Sequence, residues 1–296
     1  MEVLPDSAPQ DPRSRNWPAA AAVVVYIVLM WIWKGLGWQH LGLVLLIGAC
    51  LTTAPGPRRF VRDWWPMILF WLGYDVMRVF ASALFSRAAV EDPLRWEAAL
   101  FRGPEGTIWP FYFARWLARS GDAFWPRLLG HFCSLIYLSH VFLVPLVFLI
   151  VWLRQAAGLF RRLLWSYTAL HVVTVVIWLS YPAAAPWWIY ENGFVQPVLA
   201  HSMPVGVPAG SALFALFQFN PNRFAAIPSL HAAYPMLLTL VLAMDGARSR
   251  WVALAGVYTA AMWFSCVFLN QHYIIDLLIG AATVALALLI AWRKIR

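Results

Sequence analysis

Long apolar runs alternate with short polar loops along most of the chain. A helix needs about 20 predominantly apolar residues to cross a bilayer. Runs near that length cover residues 17–33, 40–53, 64–84, 129–152, 163–182, 230–244, 251–269 and 273–292. Because backbone polar groups must be satisfied within the bilayer, the pattern predicts an all-α polytopic membrane protein with about eight transmembrane helices.

The N-terminal residues differ from the rest of the chain. Residues 1–16 are polar and include Arg13 and Arg15, so we expect them to be disordered. The run 17–33 lacks a convincing small-residue cleavage site before Lys34, which favours a retained anchor over a removed signal peptide. Residues 17–296 are therefore predicted to form a single transmembrane domain.

Basic loops predict the orientation of the spans. With eight spans, both termini lie on one side of the membrane, and the basic loops and the C-terminal tail lie on that side. They contain Arg58, Arg59, Arg62, Arg154, Arg161, Arg162, Arg248, Arg250, Arg293, Lys294 and Arg296. Cytoplasmic loops carry an excess of Lys and Arg, so both termini are predicted to be cytoplasmic. The loops before His231 and His272 are then external.

Two of the external segments are long. Residues 86–128 combine tryptophans and arginines with short amphipathic pieces. We expect this segment to lie along the outer interface, either as a cap over a site or as an ordinary interfacial anchor. Residues 183–228 lead directly into the run that contains His231.

Composition supports the membrane assignment. Hydrophobic residues make up 62% of the chain and charged residues only 12%, whereas about a quarter of the residues in soluble proteins are charged. The net charge of +9 comes mainly from arginine. Because these arginines lie in short loops, we expect them to set the orientation in the membrane and to contact anionic lipid headgroups, and not to bind nucleic acid. Cys50, Cys133 and Cys266 have no metal-type spacing and are predicted to pack in the interior.

The candidate chemistry lies where two apolar runs begin. If the last run is helical from its start, His272 and Asp276 share one face because they are four residues apart. A carboxylate that holds one imidazole nitrogen leaves the other free to attack an electrophile. His231 can protonate a departing oxygen and later deprotonate an incoming one. Ser229 and the free amides after Pro228 can bind an anion at the helix N-terminus, and a phosphate is the anion implied.

These segments resemble a known family. Residues 228–231 read Pro-Ser-Leu-His and residues 272–276 read His-Tyr-Ile-Ile-Asp, which is similar to the second and third motifs of the phosphatidic acid phosphatase type 2 superfamily. The likeness covers residues 60–290 and is strongest to the branch of fungal inositol phosphorylceramide synthase and its bacterial relatives. It implies that family's helical core. It also implies that His272 forms a phosphohistidine, that Asp276 orients it, and that His231 protonates the leaving group.

The chain departs from the family at two cationic positions. The Lys-rich first motif is missing, since the only lysines are Lys34 and Lys294. The Ser-Arg of the third motif is replaced by Ser265 and Cys266. The synthase-like branch also lacks that arginine, so the resemblance favours a transferase over a phosphatase.

Other charged residues are candidates to bind the phosphate in place of these cations. Arg223 precedes His231 in the external segment. Arg78 lies sixteen residues beyond Arg62, which is about 24 Å along a helix and reaches the outer half of the bilayer. Arg78 either binds a lipid phosphate with Asp75 holding it, or forms a structural pair with Asp75.

Two histidines complete the candidates. His140 follows Tyr137 by about one helical turn, and both are predicted to face the cavity that receives the substrate. His171 lies near the middle of its span and is predicted to form a hydrogen bond between packed helices.

The combined prediction is a membrane lipid phosphotransferase, with its site on the external face of what we expect to be a bacterial inner membrane. It moves a phosphate-containing headgroup between lipid and alcohol through a phosphohistidine, and needs no metal and no cofactor. Its partners are the bilayer, a lipid donor and an acceptor; one option is a phosphatidylinositol-like donor with a ceramide- or diacylglycerol-like acceptor. The alternatives are a phosphatase for lipid phosphates or polyprenyl pyrophosphates, and a non-catalytic lipid-binding or transport protein.

Overall fold

The computed structural model describes residues 59–70, 84, 86–121, 123–192 and 224–295, with the isolated positions Val25, Val28, Val44 and Gly48. The chain divides into two compact units, Met1–Trp65 and Pro66–Arg296. The described residues of the first unit are all helical. The second unit contains all of the candidate chemistry.

Helices dominate the described part of the second unit. We number them α1 Glu91–Leu100, α2 Trp109–Ser120, α3 Phe124–Leu153, α4 Ala157–Ser180, α5 Pro186–Glu191, α6 Leu230–Met244, α7 Ser249–Phe268 and α8 Ile274–Ile295. A 3-10 turn, Pro104–Gly106, lies between α1 and α2. Isolated β-bridges occur, but within the described ranges no strand forms. The predicted all-α class is therefore confirmed.

The apolar runs of the second half of the chain are helices with the predicted bounds or nearly so. The run predicted at 230–244 is α6 Leu230–Met244, and the runs at 251–269 and 273–292 are α7 and α8. Of the described helices, α4, α7 and α8 are long and apolar enough to cross a membrane, and α3 makes a fourth if its two bent halves form one span. The chain is thus an integral membrane protein. The runs at 17–33, 40–53 and 64–84 lie largely outside the described residues, so a count of eight spans stays a prediction.

The long helix α3 bends at its centre. Its halves, Phe124–His140 and Phe142–Leu153, meet at 49°. Pro145 lies inside the helix and has no amide to donate to the carbonyl four residues earlier, which is a common cause of such a bend.

Polar contacts connect the packed helices at several depths. The helix α6 packs against α7 and α8, and α8 packs against α4. His171 Nε2 in α4 lies 2.6 Å from the Tyr234 hydroxyl in α6, which confirms the predicted packing role of this histidine. Near the other end of α6, Asp245 forms an ion pair with Arg162 of α4. This end of α6 is the one remote from His231.

Three connecting segments are joined by backbone hydrogen bonds. Ala183 pairs with Ala89 on one side and with Ala225 on the other. The Ala183 amide donates to the Phe224 carbonyl at 2.9 Å, and the Ala184 amide donates to the Ala89 carbonyl at 2.9 Å. The segments that lead into α1, α5 and α6 are therefore fixed to one another before these helices begin.

Candidate active site

The loop that delivers His272 begins with a defined helix end. Asn270 has a φ of 60°, in the left-handed region that asparagine tolerates better than most residues. The Asn270 amide donates to the Val267 carbonyl at 3.1 Å, and the Gln271 amide donates to the Cys266 carbonyl at 3.0 Å. This pair of bonds is the Schellman pattern. It ends α7 and sends the chain towards α8, which begins three residues after Gln271.

His272 and Asp276 meet, but not in the way that the sequence predicts. The helix α8 begins at Ile274, so His272 precedes the helix and the two residues do not share a helical face. Asp276 Oδ2 instead accepts a hydrogen bond from the Tyr273 amide at 2.9 Å and lies 3.2 Å from His272 Nδ1. An acidic residue in the first turn that reaches back to the amide before the helix is half of a capping box.

Ser229 connects α6 directly to α8. Its hydroxyl accepts a hydrogen bond from the Ala232 amide at 3.3 Å and caps α6. Its own amide donates to the Asp276 carbonyl at 3.2 Å. Pro228 precedes this cap, since Leu230 is the first helical residue. A role for Ser229 in phosphate binding stays a prediction.

The two candidate histidines lie side by side. His231 Nδ1 is 3.2 Å from His272 Nε2. When the Asp276 carboxylate accepts the proton of His272 Nδ1, His272 Nε2 carries a lone pair and accepts the proton of His231 Nδ1. The structure therefore brings His231, His272 and Asp276 into one hydrogen-bonded row, whereas their catalytic roles stay a prediction. His272 is 5% exposed and Asp276 is fully buried, which shields the pair from solvent.

Tyr137 and His140 both contact His231 from α3. The Tyr137 ring stacks on the His231 ring, with centroids 4.2 Å apart and an interplanar angle of 16°. The His140 ring meets His231 edge-on at 4.0 Å. His140 Nδ1 lies 2.6 Å from the Tyr137 carbonyl oxygen and must donate to it, so the lone pair of His140 is on Nε2. These two residues hold the orientation of the His231 ring.

Glu97 also reaches the site, which the sequence analysis missed. It belongs to α1, within the segment 86–128 that the sequence predicts to be external, and is fully buried. Its Oε1 accepts the Ile274 amide at 3.1 Å and its Oε2 accepts the Ile275 amide at 3.0 Å. Burial raises its pKa from 4.5 to about 7, although these two bonds oppose the rise. No local pattern marks it in the sequence, because the burial of Pro93 and Glu97 on one side of α1 is seen only in the structure.

Gly280 is a second residue that the sequence analysis missed. A Cβ atom at this position of α8 would lie 2.8 Å from the Ser229 carbonyl oxygen, closer than nonbonded atoms approach. The absence of a side chain therefore lets the start of α6 rest against α8. This contact sets the separation of the helices that carry His231 and Asp276.

We expect Gly280→Ala to separate the two histidines and to lower turnover about 10-fold to 100-fold, because a misplacement of about 1 Å has an effect of that order. Ser229 would have to move, and the hydrogen bond that its amide donates to the Asp276 carbonyl would lengthen. Turnover and melting temperature are measured together. Gly256→Ala is the control, because a Cβ atom there meets only Thr239 Cγ2 at an ordinary 3.9 Å. Equal turnover in the two variants would contradict the role of Gly280.

The remaining predicted residues have different outcomes. Arg223, Asp75 and Arg78 lie outside the described residues, so their roles stay predictions. Cys133 and Cys266 are buried free thiols in one apolar cluster, which confirms the packing prediction for both. In the described ranges no group of three His, Cys, Asp or Glu side chains could hold a metal ion.

Comparisons with known proteins identify related sequences. A family model described as the PAP2 superfamily matches residues 111–290. Phosphoinositol dihydroceramide synthase of Bacteroides thetaiotaomicron is 27% identical over 273 residues, which cover 87% of this chain and 85% of that protein.

Two fungal proteins match over a shorter region. The catalytic subunit of inositol phosphorylceramide synthase of Schizosaccharomyces pombe is 28% identical over 44% of this chain and 32% of its own length. Inositol phosphorylceramide synthase of Candida albicans is 27% identical over 39% of this chain and 26% of its own length. The matched region thus spans a third or less of each fungal protein. No solved structure matches the chain significantly.

Proposed function

The chain belongs to the PAP2 superfamily, and from that premise we propose that it transfers a phosphate-containing headgroup from a membrane lipid to an alcohol through a phosphohistidine. The observation that carries the proposal is the hydrogen-bonded row of His231, His272 and Asp276, in which neighbouring side-chain atoms are 3.2 Å apart. A nucleophile, the group that orients it and an acid are present in this row.

In the first step, His272 Nε2 attacks the phosphorus of the donor lipid. The bond from phosphorus to the oxygen of the lipid alcohol breaks. His231 reacts as an imidazolium that carries a proton on each nitrogen, gives its Nδ1 proton to that oxygen and becomes a neutral imidazole. Phosphorylation leaves a positive charge on the His272 ring. The Asp276 carboxylate, which pairs with His272 Nδ1, offsets this charge.

In the second step, the acceptor alcohol attacks the same phosphorus. His231 takes the proton of the incoming hydroxyl, the bond between phosphorus and His272 Nε2 breaks, and the headgroup moves to the acceptor. Both histidines return to their starting states. Water in place of the alcohol would give hydrolysis, which is the alternative activity.

The names of the relatives suggest the substrates. A synthase of phosphoinositol dihydroceramide matches most of this chain, so we assign a phosphatidylinositol-like donor and a ceramide-like acceptor. Arg223, Arg78 with Asp75, and Ser229 are proposed to hold the phosphate. We place the site on the external face of the membrane, because the basic residues of the segments 154–162 and 245–250 lie at the other end of α6.

Purified protein in mixed micelles tests the proposal. It is given phosphatidylinositol labelled in the inositol ring, with and without ceramide. We expect labelled inositol phosphorylceramide and unlabelled diacylglycerol to form in equal amounts, and only when ceramide is present. Release of free inositol phosphate alone would identify a hydrolase, and the absence of any turnover by well-folded protein would favour a binding protein.

A further inference from the structure

The start of α8 is held by two carboxylates from different parts of the chain. Asp276 Oδ2 accepts the Tyr273 amide, and the two oxygens of Glu97 accept the Ile274 and Ile275 amides, one each. Three consecutive backbone amides directly after His272 therefore have acidic acceptors. Free amides at a helix start attract anions. Here the Glu97 carboxylate occupies the position that such an anion would take.

Glu97 comes from a segment outside the matched family region. That region begins at residue 111, whereas α1 ends at Leu100. The segment has its own anchors, because Ala89 pairs with Ala183 just before α1, and the Trp96 ring stacks on Tyr181 with centroids 5.8 Å apart. The helix that carries the Glu97 carboxylate is thus fixed at its start by a backbone pair and along its length by a ring contact.

We propose that Glu97 is a positioning residue of the phosphotransfer site, which fixes the first turn of α8 and through it the His272–Asp276 pair. The backbone of residues 273–275 lies between His272 and Asp276, so a shift of this turn changes the distance between the imidazole and the carboxylate. Glu97 does not touch the reacting atoms. It acts by fixing the backbone of residues 273–275, which connects His272 to Asp276.

The isosteric change Glu97→Gln tests this inference. A glutamine side chain has one acceptor oxygen, and its NH₂ group would face a backbone N–H. One of the two hydrogen bonds from the Ile274 and Ile275 amides is therefore lost. Glu91→Gln is the matched control on the same helix, because Glu91 is exposed and pairs with Arg95 on the surface. Glu97→Asp keeps the charge on a shorter arm and should give an intermediate effect.

The first measurement is lipid transfer, and this part rests on the proposed function. We expect Glu97→Gln to lower kcat about 10-fold to 100-fold and to change KM less than about threefold, since the residue touches no substrate. Glu91→Gln should match the unchanged protein in both constants. Melting temperatures define the range in which each variant is folded.

The second measurement does not depend on transfer. Diethyl pyrocarbonate modifies imidazole nitrogens, and peptide mass spectrometry gives the rate at His272 relative to the exposed His131 of the same molecule. We expect this ratio to fall at least about threefold in Glu97→Gln. The hydrogen bond between His272 Nδ1 and Asp276 makes His272 Nε2 more nucleophilic, and a displaced first turn of α8 weakens this bond. The ratio should not change in Glu91→Gln.

The outcomes separate the two proposals. If the unchanged protein transfers nothing but the His272 ratio falls in Glu97→Gln, the transfer function is wrong and the positioning role stands. If folded Glu97→Gln keeps both its kcat and its ratio, Glu97 has only a structural role and the inference is overturned. Should Glu97→Gln fail to fold, Glu97→Asp decides by the same two measurements.

Discussion

Replacement of His272 by glutamine is expected to lower kcat for headgroup transfer by at least about 10⁴-fold, in line with the loss of a nucleophile in other covalent mechanisms. Glutamine has no nitrogen lone pair that can attack phosphorus, and no phosphorylated intermediate can form. Transfer is measured with labelled donor lipid. Denatured protein is then analysed for acid-labile phosphate on the peptide that contains residue 272.

A histidine elsewhere on the protein provides the control. His131 is exposed on α3, so His131→Gln should keep full turnover and full phosphorylation. Transfer by His272→Gln at the rate of this control would refute the assignment of the nucleophile. It would leave His231 and His140 as the candidate nucleophiles of the described site.

Asp276→Asn is expected to lower kcat about 10²-fold to 10⁴-fold, the range seen when the carboxylate of a catalytic histidine is neutralised. An asparagine can still accept the Tyr273 amide, so the start of α8 can keep its geometry. It cannot offset the positive charge that develops on the His272 ring during phosphorylation. The rate of intermediate formation in a single turnover measures this effect directly.

The matched control for this variant is Asp92→Asn, an exposed acid in the first turn of α1. It removes the same charge from a helix start without contact to the site. If Asp276→Asn forms the intermediate as fast as the control, the carboxylate acts only as a helix cap. A loss of melting temperature without a loss of rate would lead to the same conclusion.

The sequence predicts which residues of the site meet, but not the backbone arrangement that brings them together. The pairing of His272 with Asp276 follows from their spacing if α8 starts early, but α8 starts at Ile274 and Asp276 reaches back from its first turn. The same spacing is compatible with both arrangements. Which one occurs depends on where the previous helix ends, and the left-handed Asn270 decides this.

Helix bounds were predictable where apolar runs are flanked by clear polar residues. The bounds of α6 agree to the residue, because Ser229 caps its start and Asp245 follows its end. The start of α3 was placed five residues late, since Phe124 and Trp125 read as loop aromatics. Both are in fact exposed residues of the first turn of this helix, where aromatic side chains suit a membrane interface.

Glu97 and Gly280 could not be found from local patterns. The role of each depends on a contact with a residue more than 50 positions away, Ile274 and Ile275 for Glu97 and Ser229 for Gly280. A single sequence gives no distance between such residues. Nothing in the sequence shows that Glu97 lies on the buried side of α1, and nothing identifies its partner.

The two imidazoles of the site are in direct contact with each other. His231 Nδ1 and His272 Nε2 are in hydrogen-bond contact, and a tetrahedral phosphorus with its departing oxygen does not fit into that gap. Entry of the donor must therefore part the rings, and the binding energy of the lipid tails is available to drive this opening. Short-chain or water-soluble donors should then lose kcat and not only affinity, which makes chain length a selector of true membrane substrates.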